Sequence, residues 1–353
     1  MLQTTLDAIE PLDPTAMRDA AERQAQLTKP LGSLGVLEDV SLVLCGIQAT
    51  CPPKRLARPV VAVFAGDHGV HAQGVSPWPQ EVTTAMIENF RGGGAAVNVL
   101  ARKAGADVYV VDIGVAGDVP GGADLFDHKI RRGTSDLATG PAMTGDEALR
   151  GISAGISVAN NLVAQGYDCL LTGDMGIANT TASAALIAAL AGVDPGLATG
   201  RGTGIDDPTL ALKTEVVRTA LAQRPVGDDP VETLASLGGF EHAGIAGFIL
   251  AAAASRTPVI LDGVIAGAAA LVAQGLSPAA VHYCFAGHRS AETGHVVALQ
   301  RLGLRPVVDL DLRLGEGTGA ALAFPIVESA GATLREMATF DSAGVAKRKD
   351  ARA

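Results

Sequence analysis

The spacing of apolar and polar positions changes repeatedly along the chain and marks out alternating elements. From residue 58 onward, short runs rich in β-branched residues end near Gly or Asp and predict strands. These runs lie at 59–65, 107–113, 168–172, 258–261, 280–285 and 306–310. The helical stretches between them lie at 79–89, 95–104, 145–165, 180–191, 209–223, 243–254 and 264–274. Because the strand runs are almost continuously apolar, they indicate a doubly wound α/β fold with a six-stranded, mostly parallel sheet flanked by helices.

The two ends of the chain carry helical patterns instead, at 14–27, 36–47 and 320–340. They predict a small helical domain formed by residues 1–57 plus 320–353. Residues 58–319 are then expected to form the α/β nucleotide-binding catalytic domain, and the charged tail at 347–353 is expected to be frayed.

Composition narrows the class of partner. The chain has 353 residues, of which 48% are apolar and 18% charged, so a folded core is expected rather than disorder. The net charge of −10 and the low aromatic content of 3% argue against nucleic acid or an anionic membrane as a partner. An anionic ligand would have to be held locally, by helix N-termini and one or two cations.

Neither cysteine spacing nor the N-terminus points to export or to a metal. The four cysteines show no CxxC pattern and no ligand spacing with histidine, so we expect a reducing cytoplasm, no metal and no cofactor. The first fifteen residues are acidic and polar, unlike a signal peptide. The long uncharged stretches at 175–193 and 263–281 are interrupted by polar residues and predict buried helices.

The predicted strand ends carry the candidate chemistry. In open α/β sheets, ligands bind beyond the carboxyl ends of the strands. Five of these ends place an acid or a hydroxyl beside a glycine, at Asp67, Asp174, Asp262, Ser290 and Glu316. One such end is common in α/β proteins, whereas five together indicate a site.

An anion site is predicted where Asn179 and Thr180 precede an alanine-rich helix, since such a start offers backbone N–H groups and the helix dipole. The alternative is a plain N-cap without a ligand. The Gly202-Thr203-Gly204 segment is a candidate second nest of N–H groups. Lys213 is a candidate phosphate contact, with a solvated helix lysine as the alternative.

Glu316 stands between Gly315 and Gly317, with no neighbouring side chain to screen it. It is a candidate functional carboxylate, or else an ordinary acid at a helix N-terminus. Asp174 follows a glycine rather than a second acid, which argues against a magnesium-diphosphate donor and favours a nucleoside monophosphate that needs no metal. His68 and His288 lack partners at ligand spacing and are interpreted as hydrogen-bonded loop histidines.

Six segments carry a resemblance to a known family. They are KPLGSLG at 29–35, GDHGV at 66–70 with EVT at 81–83, GDMGIANTT at 173–181, LGGFEHAGIA at 237–246, the acid-containing segment at 261–263, and RLGEGTGAAL at 313–322. Over residues 12–340 the chain resembles the nicotinate-nucleotide–dimethylbenzimidazole phosphoribosyltransferases, which prepare the lower nucleotide base of cobalamin. The segments at 173–181 and 313–322 are the most specific.

The resemblance implies a homodimer whose partner subunit completes the site, and it implies roles for individual residues. Glu316 falls on the general base, and Asp174 falls on a second acid that is usually Glu in this family. The nucleotide contacts implied by the resemblance or by the loops above are Gly176, Asn179, Thr180, Gly202, Thr203, Gly204, Lys213, Ser290 and Gly315. The base pocket falls on Trp78, Pro79, Gln80, Met86 and Leu314. Some members have Ser in place of Trp78 and Gln in place of Met86, so the preferred base is left open.

Three other functions remain open from the residues alone. A nicotinamide-dependent oxidoreductase would need a glycine-rich turn after the first strand and an acid about 20 residues on, and this chain has neither. A non-catalytic nucleotide sensor would keep the phosphate cradle without needing Glu316. A related transferase would use adenine or a phenolic acceptor.

Overall fold

A computed structural model describes residues 1–223, 227 and 229–346. Its centre is a seven-stranded sheet in the order β3-β2-β1-β4-β5-β6-β7, in which every neighbouring pair is parallel. The strands are β1 (Pro59–Gly66), β2 (Asp107–Gly114), β3 (Leu125–Asp127), β4 (Cys169–Met175), β5 (Val259–Leu261), β6 (Cys284–His288) and β7 (Pro306–Val308). The chain winds outward from β1 in one direction and then from β4 in the other, so the predicted doubly wound α/β fold is confirmed.

The helices fall between and around these strands. They are α1 (Leu2–Asp7), α2 (Pro14–Gln26), α3 (Val36–Gln48), α4 (Val82–Arg91), α5 (Ala96–Ala104), α6 (Gly145–Ala164), α7 (Asn179–Ala191), α8 (Pro195–Ala198), α9 (Asp207–Gln223), α10 (Pro230–Leu237), α11 (Phe240–Ala254), α12 (Val264–Leu276), α13 (Thr293–Leu302), α14 (Thr318–Glu336) and α15 (Phe340–Ala343). Two 3₁₀ segments, Gly69–Gln73 and Pro278–Tyr283, complete the described elements.

Four strands differ from the sequence prediction. β4 continues to Met175, so Asp174 lies within the strand rather than after it, and β7 ends at Val308. The other two differences concern β3 and β6. The sheet has seven strands rather than six because β3 is only three residues long, too short to give an apolar run. The predicted strand at 280–285 starts four residues before the observed strand. Pro278 starts a 3₁₀ turn that holds Ala280 and Val281, and β6 begins only at Cys284.

Close helix packing explains the glycines at several positions of α6 and α11. α6 crosses α11, and a Cβ on Gly155 would collide with the carbonyl oxygen of Gly244. A Cβ on Gly247 would collide with the carbonyl of Ile152. α11 in turn packs against β1, β2 and β4. Glycine therefore allows these two backbones to approach at a distance that larger residues would prevent.

The chain divides into two compact units. The first holds residues 1–10 and 58–324, including the whole sheet. The second holds residues 11–57 and the chain from 325 onward, and its core includes Ala16, Leu27, Cys45 and Leu334. The predicted domain limits at 57/58 and 319/320 stay a prediction, and the predicted tail at 347–353 lies outside the described residues. No helix among the described residues is long and apolar enough to cross a membrane.

Candidate active site

A cavity of about 300 Å³ opens at the carboxyl ends of the central strands. β4 and β6 contribute their last residues, and the loop before α14 covers the floor. This position, beside the point where the strand order reverses, is the one expected for a ligand site in a doubly wound sheet. The lining residues are Trp78, Val82, Met86, Asp174, Met175, Gly176, Ile177, Asn179, Thr180, Gly202, Thr203, Gly263, Val264, Ile265, His288, Ser290, Glu292, Arg313, Leu314, Gly315 and Glu316.

Glu316 reaches the cavity through an unusual backbone conformation. Its φ is +66°, and the flanking Gly315 and Gly317 have φ values of +83° and +97°. Left-handed backbone is costly for a glutamate, so a fold that keeps it here fixes the side chain at some expense in stability. The loop also lies against β4, where a Cβ on Gly173 would come within 2.5 Å of the Glu316 carbonyl oxygen. Gly173 on β4 and the glycines beside Glu316 therefore allow the strand and the loop to approach closely.

The Glu316 carboxylate is buried, with 6% of the residue exposed. Its Oε2 accepts one hydrogen bond, from the Val97 backbone N–H at 3.3 Å. Burial raises the pKa of Glu316 above its ordinary value; the Val97 amide opposes this, and the charge of Asp262 adds to it. A carboxylate whose pKa is raised in this way is a better proton acceptor than an exposed glutamate.

Asp174 is the second acid on the cavity. Its Oδ2 accepts a hydrogen bond from Asn179 Nδ2 at 3.0 Å, while its buried Oδ1 has no protein partner among the described residues. Burial raises the pKa of Asp174 well above its ordinary value. The negative charges of Asp262, Glu241 and Glu316 raise it further, in that order, while the Asn179 amide lowers it. The cavity floor is therefore a region of strongly negative potential.

Asp262, which follows β5, holds the start of α14 beneath this floor. Its Oδ1 accepts from the N–H groups of Gly319 at 2.7 Å and Ala320 at 3.1 Å, and its Oδ2 accepts from Gly317 at 3.1 Å. The carboxylate thus caps α14 and anchors the loop that carries Glu316. The sequence marked Asp262 as an acid at a strand end but gave it no role.

Lys213 lies next to Thr180 and Gly202, which line the other end of the cavity, although it is not itself a lining residue. It is 1% exposed, which excludes the alternative of a solvated helix lysine. Its Nζ donates to Thr180 Oγ1 at 2.7 Å and to the Gly200 carbonyl at 3.0 Å. Burial lowers the pKa of Lys213 to about 8, against the opposing charge of Glu292. The protein therefore uses two of the three N–H groups of Lys213.

Two residues that sequence reasoning missed hold the 200–204 loop. Glu292 Oε1 accepts from the Gly202 N–H at 2.7 Å, and the Arg313 guanidinium donates to the Gly202 carbonyl at 3.2 Å. The predicted nest of free amides is therefore wrong at Gly202, since its N–H is already taken by a carboxylate. Glu292 and Arg313 both stand beside predicted site residues in sequence, and that proximity was the available signal.

The start of α7 also differs in detail from the prediction. Ala178, with φ of +73°, is the N-cap, and Asn179 is already the first helical residue. The Asn179 side chain is therefore not a cap but binds Asp174. Gly176 lies just before this turn, and a Cβ there would collide with the carbonyl oxygen of Gly66 at the end of β1.

The apolar side of the cavity is formed by Val82 and Ile265 together with Trp78, Met86 and Leu314, whose role as a base pocket stays a prediction. Trp78 is 50% exposed and Leu314 58% exposed, so both lie at the cavity mouth.

Four predicted site residues, Pro79, Gln80, Gly204 and Lys213, are not among the lining residues. Gln80 donates to the carbonyl oxygen of His68 at 3.3 Å instead. Gly204 lies near the Arg313 guanidinium.

His68 and His288 are both buried, whereas the sequence predicts loop positions for them. His288 is the last residue of β6, lines the cavity, and places Nε2 3.7 Å from Asp262 Oδ1. His68 precedes a 3₁₀ turn, is fully buried, and places Nε2 2.9 Å from Glu241 Oε1. His288 is therefore a strand residue, and the loop assignment for it was wrong.

Known proteins share this chain's sequence and fold along almost its whole length. A family model described as "Phosphoribosyltransferase" matches residues 9–345. Proteins named nicotinate-nucleotide–dimethylbenzimidazole phosphoribosyltransferase are 56% identical in Salinispora tropica, over 99% of this chain and 100% of that one, and 52% identical in Chloroflexus aggregans, over 99% of each. The crystal structure of the protein of that name from Thermus thermophilus is 46% identical and matches with a TM-score of 0.92, over 96% of this chain and 100% of that one. The resemblance noted in the sequence is thereby confirmed, and the chain belongs to the nicotinate-nucleotide–dimethylbenzimidazole phosphoribosyltransferase family.

Proposed function

We propose that the protein transfers the 5-phosphoribosyl group from nicotinate mononucleotide to 5,6-dimethylbenzimidazole. The products are α-ribazole 5′-phosphate and nicotinate, for assembly of the cobalamin nucleotide loop. The relatives that carry this name cover nearly the whole chain. The observation that carries the proposal is the buried Glu316 carboxylate with its raised pKa on the floor of the cavity.

The charges of the cavity suggest how the nucleotide lies. Lys213 and Arg313 are grouped at the 200–204 loop, next to Thr180 in the first turn of α7. A phosphate is favoured there by the two cations and by the helix dipole. The benzimidazole then occupies the apolar side, between Trp78, Met86 and Leu314. Glu316 lies between these two ends of the ligand in this arrangement.

The reaction needs one proton acceptor and no acid. The nicotinate ring nitrogen is already cationic in the mononucleotide, so the C1′–N bond breaks with its electron pair returning to that nitrogen. The azole attacks C1′ through one ring nitrogen, held in line by the pocket. The N–H on its other nitrogen loses its proton to the Glu316 carboxylate as the new C1′–N bond forms. Attack opposite to the leaving group inverts the sugar and turns a β-nucleotide into an α-ribotide.

The acids on the floor also favour the transition state. The sugar becomes oxocarbenium-like and gains positive charge at C1′ as nicotinate leaves. The negative potential that raises the pKa values of Asp174 and Glu316 is relieved by a positive charge placed beside them. Because the carboxylates are already fixed by Asn179 and Val97, little reorganisation is needed at the moment of reaction.

The direct test is to mix the purified protein with nicotinate mononucleotide and dimethylbenzimidazole and to quantify both products by mass spectrometry. Nicotinate and ribotide are expected in equal amounts, and only when both substrates are present. Glu316→Gln is expected to abolish most of this turnover. Glu328→Gln is the control for turnover. Glu328 also accepts a hydrogen bond from a distant backbone N–H, that of Leu56 at 2.9 Å, and it pairs with Arg335 rather than lining the cavity.

The other functions give different results in the same experiment. A ribotide formed only with adenine or a phenol would identify a related transferase. Nucleotide binding without nicotinate release, unaffected by Glu316→Gln, would identify a sensor. A spectral change on titration with a reduced nicotinamide dinucleotide would point to an oxidoreductase.

We further propose that the protein is a cytoplasmic homodimer. Exposed apolar side chains at the cavity mouth, Trp78 and Leu314, offer a surface that a partner subunit would cover. Cys45 and Cys284 are buried thiols, as expected in a reducing compartment. Sedimentation equilibrium tests the dimer, and a monomer mass at working concentration would contradict it. Fractionation of the source cells tests the location, and recovery outside the cytoplasm would contradict it.

A further inference from the structure

A buried polar array lies beneath the first turn of α7. It consists of His68, Ser183, Glu241 and His242, each with no exposed surface. None of these four residues is among those that line the cavity. Polar groups buried this completely cost free energy unless each finds a partner, so their presence in an otherwise apolar core calls for a reason.

The hydrogen bonds of Ser183 have a defined direction. Its hydroxyl donates to the Asn179 carbonyl at 2.9 Å, so it accepts from His242 Nε2, which lies 2.8 Å away. The other ring nitrogen, Nδ1, lies 3.1 Å from the backbone N of Gly239, the N-cap of α11. The His242 imidazole therefore links the first turn of α7 to the N-terminus of α11.

Glu241 lies beside this imidazole, and neither of its carboxylate oxygens has a hydrogen-bond partner among the described residues. Its Oε1 lies 2.8 Å from His242 Nδ1 and 2.9 Å from His68 Nε2. Burial opposes the charge of Glu241, but the two imidazoles hold its pKa below its usual range. The array thus joins three segments: the loop after β1, the first turn of α7 and the start of α11.

The turn held by this array faces the ligand on its other side. Asn179 binds Asp174, and Thr180 accepts from Lys213. Both residues line the cavity, at the acidic floor and at the cationic end respectively. α7 is otherwise rich in alanine, so few large side chains fix its rotation. A small shift at Ser183 would move both cavity contacts together.

We propose that His242 and Ser183 are positioning residues for the transfer, fixing the first turn of α7 so that Asn179 and Thr180 meet the nucleotide. This rests on the proposed function. Neither residue touches the ligand. Replacing them should affect the use of the nucleotide, whose phosphate and ribose lie against this turn, and not the use of the benzimidazole.

The chain offers a closely matched control. Ser41 is also fully buried, donates to a helix carbonyl (Glu38, 2.7 Å) and accepts from one buried side chain (Gln24 Nε2, 2.8 Å). It is not among the described residues that line the cavity. Ser41→Ala therefore removes the same kind of hydrogen bond as Ser183→Ala, away from the array.

Two substitutions at His242 test the roles of its two ring nitrogens separately. The side-chain amide of Asn stands near the position of Nδ1, so His242→Asn keeps a partner for Gly239 but loses the donor to Ser183. The longer Gln reaches the position of Nε2, so His242→Gln keeps that donor. We expect His242→Asn to behave like Ser183→Ala, and His242→Gln to stay within about threefold of the wild-type kcat/KM.

The readouts are steady-state kinetics for each substrate and hydrogen exchange of the backbone amides. For Ser183→Ala, kcat/KM for nicotinate mononucleotide is expected to fall about tenfold, which corresponds to about 1.4 kcal/mol, with the KM for dimethylbenzimidazole within about twofold. Amides at 180–184 are expected to exchange faster in the free protein. Ser41→Ala should change neither.

Three results would overturn the inference. They are a change in the KM for dimethylbenzimidazole as large as the change in kcat/KM for nicotinate mononucleotide, an equal effect of Ser41→Ala, and unchanged amide exchange at the start of α7. Should the wild-type protein show no transfer at all, the proposed function fails instead. Amide exchange in the unliganded variants then decides the inference alone: faster exchange at 180–184 in Ser183→Ala and not in Ser41→Ala supports it, and equal exchange overturns it.

Discussion

Replacing Glu316 with glutamine tests the proposed base with the smallest change in shape. Glutamine keeps the side-chain volume and an oxygen that can accept from the Val97 N–H, which lies 3.3 Å from Oε2. It also keeps a side chain on the backbone at φ of +66°, so the loop geometry is not relaxed. What is removed is the negative charge and the ability to take a proton.

The expected loss follows from the role. General base catalysis contributes about 10²–10⁴ in rate, or about 2.7–5.5 kcal/mol in activation free energy. Because burial raises the pKa of Glu316, the residue is a stronger base than an ordinary glutamate, and a loss of about 10³ in kcat is expected. The KM for nicotinate mononucleotide should change little, since the phosphate contacts lie elsewhere.

The same substitution has a pH-dependent effect on stability. The pKa of Glu316 in the folded protein lies above its unfolded value, so the folded state holds this proton more tightly. The free energy of unfolding contributed by Glu316 therefore falls as pH rises from 4.5 through the folded pKa. Glutamine lacks this dependence, and Glu316→Gln should gain stability relative to the wild type as pH rises across that range.

The assays are nicotinate release at saturating dimethylbenzimidazole, with Glu328→Gln as the control, and urea unfolding of Glu316→Gln and the wild type at several pH values. A variant that folds, binds nicotinate mononucleotide normally and still turns over near the wild-type rate would refute Glu316 as the base. A stability difference that stays constant with pH would refute the buried, raised-pKa carboxylate.

Three further substitutions test other parts of the site. Asp174→Asn removes a buried carboxylate whose pKa is raised, so it should increase the free energy of unfolding at neutral pH and lower kcat. An unchanged stability in urea would contradict this. Gly176→Ala should destabilise the protein and abolish activity, because its Cβ meets the Gly66 carbonyl, whereas Gly140→Ala, with nothing within 4 Å, should leave both the melting temperature and turnover unchanged. Lys213→Met should raise the KM for nicotinate mononucleotide. Since the pKa of Lys213 is lowered from 10.5 to about 8, the wild type should also gain stability relative to this variant as pH rises between those values, and a flat difference would contradict the buried ammonium.

Much of the fold could be predicted because its signals are local. The buried run of β1 and the long periodic stretch of α6 matched the structure to within a residue or so. β3 and the start of β6 were not predicted because a three-residue strand and a Pro-led 3₁₀ turn leave no distinctive spacing of apolar residues. In these segments the pairing with neighbouring strands decides the structure.

The candidate site could be predicted where one residue and its neighbours in sequence decide the geometry. The glycine-bracketed Glu316 is the clearest example, since its conformation is built into the Gly-Glu-Gly segment. The partners of Lys213 and Gly202 could not be predicted, because Glu292 meets Gly202 from 90 positions away. Likewise the cap that Asp262 supplies to α14 spans 57 positions. Contacts of this kind depend on which strand ends the topology brings together.

The configuration of the product at C1′ tests the central claim most directly. The wild-type protein is incubated with β-nicotinate mononucleotide and dimethylbenzimidazole, and the anomeric proton of the purified ribotide is assigned by nuclear magnetic resonance. A single in-line displacement, with the azole proton passing to Glu316, predicts the α-ribotide and one nicotinate released for each. A β-ribotide would require two displacements through a glycosyl-enzyme intermediate and would contradict the account.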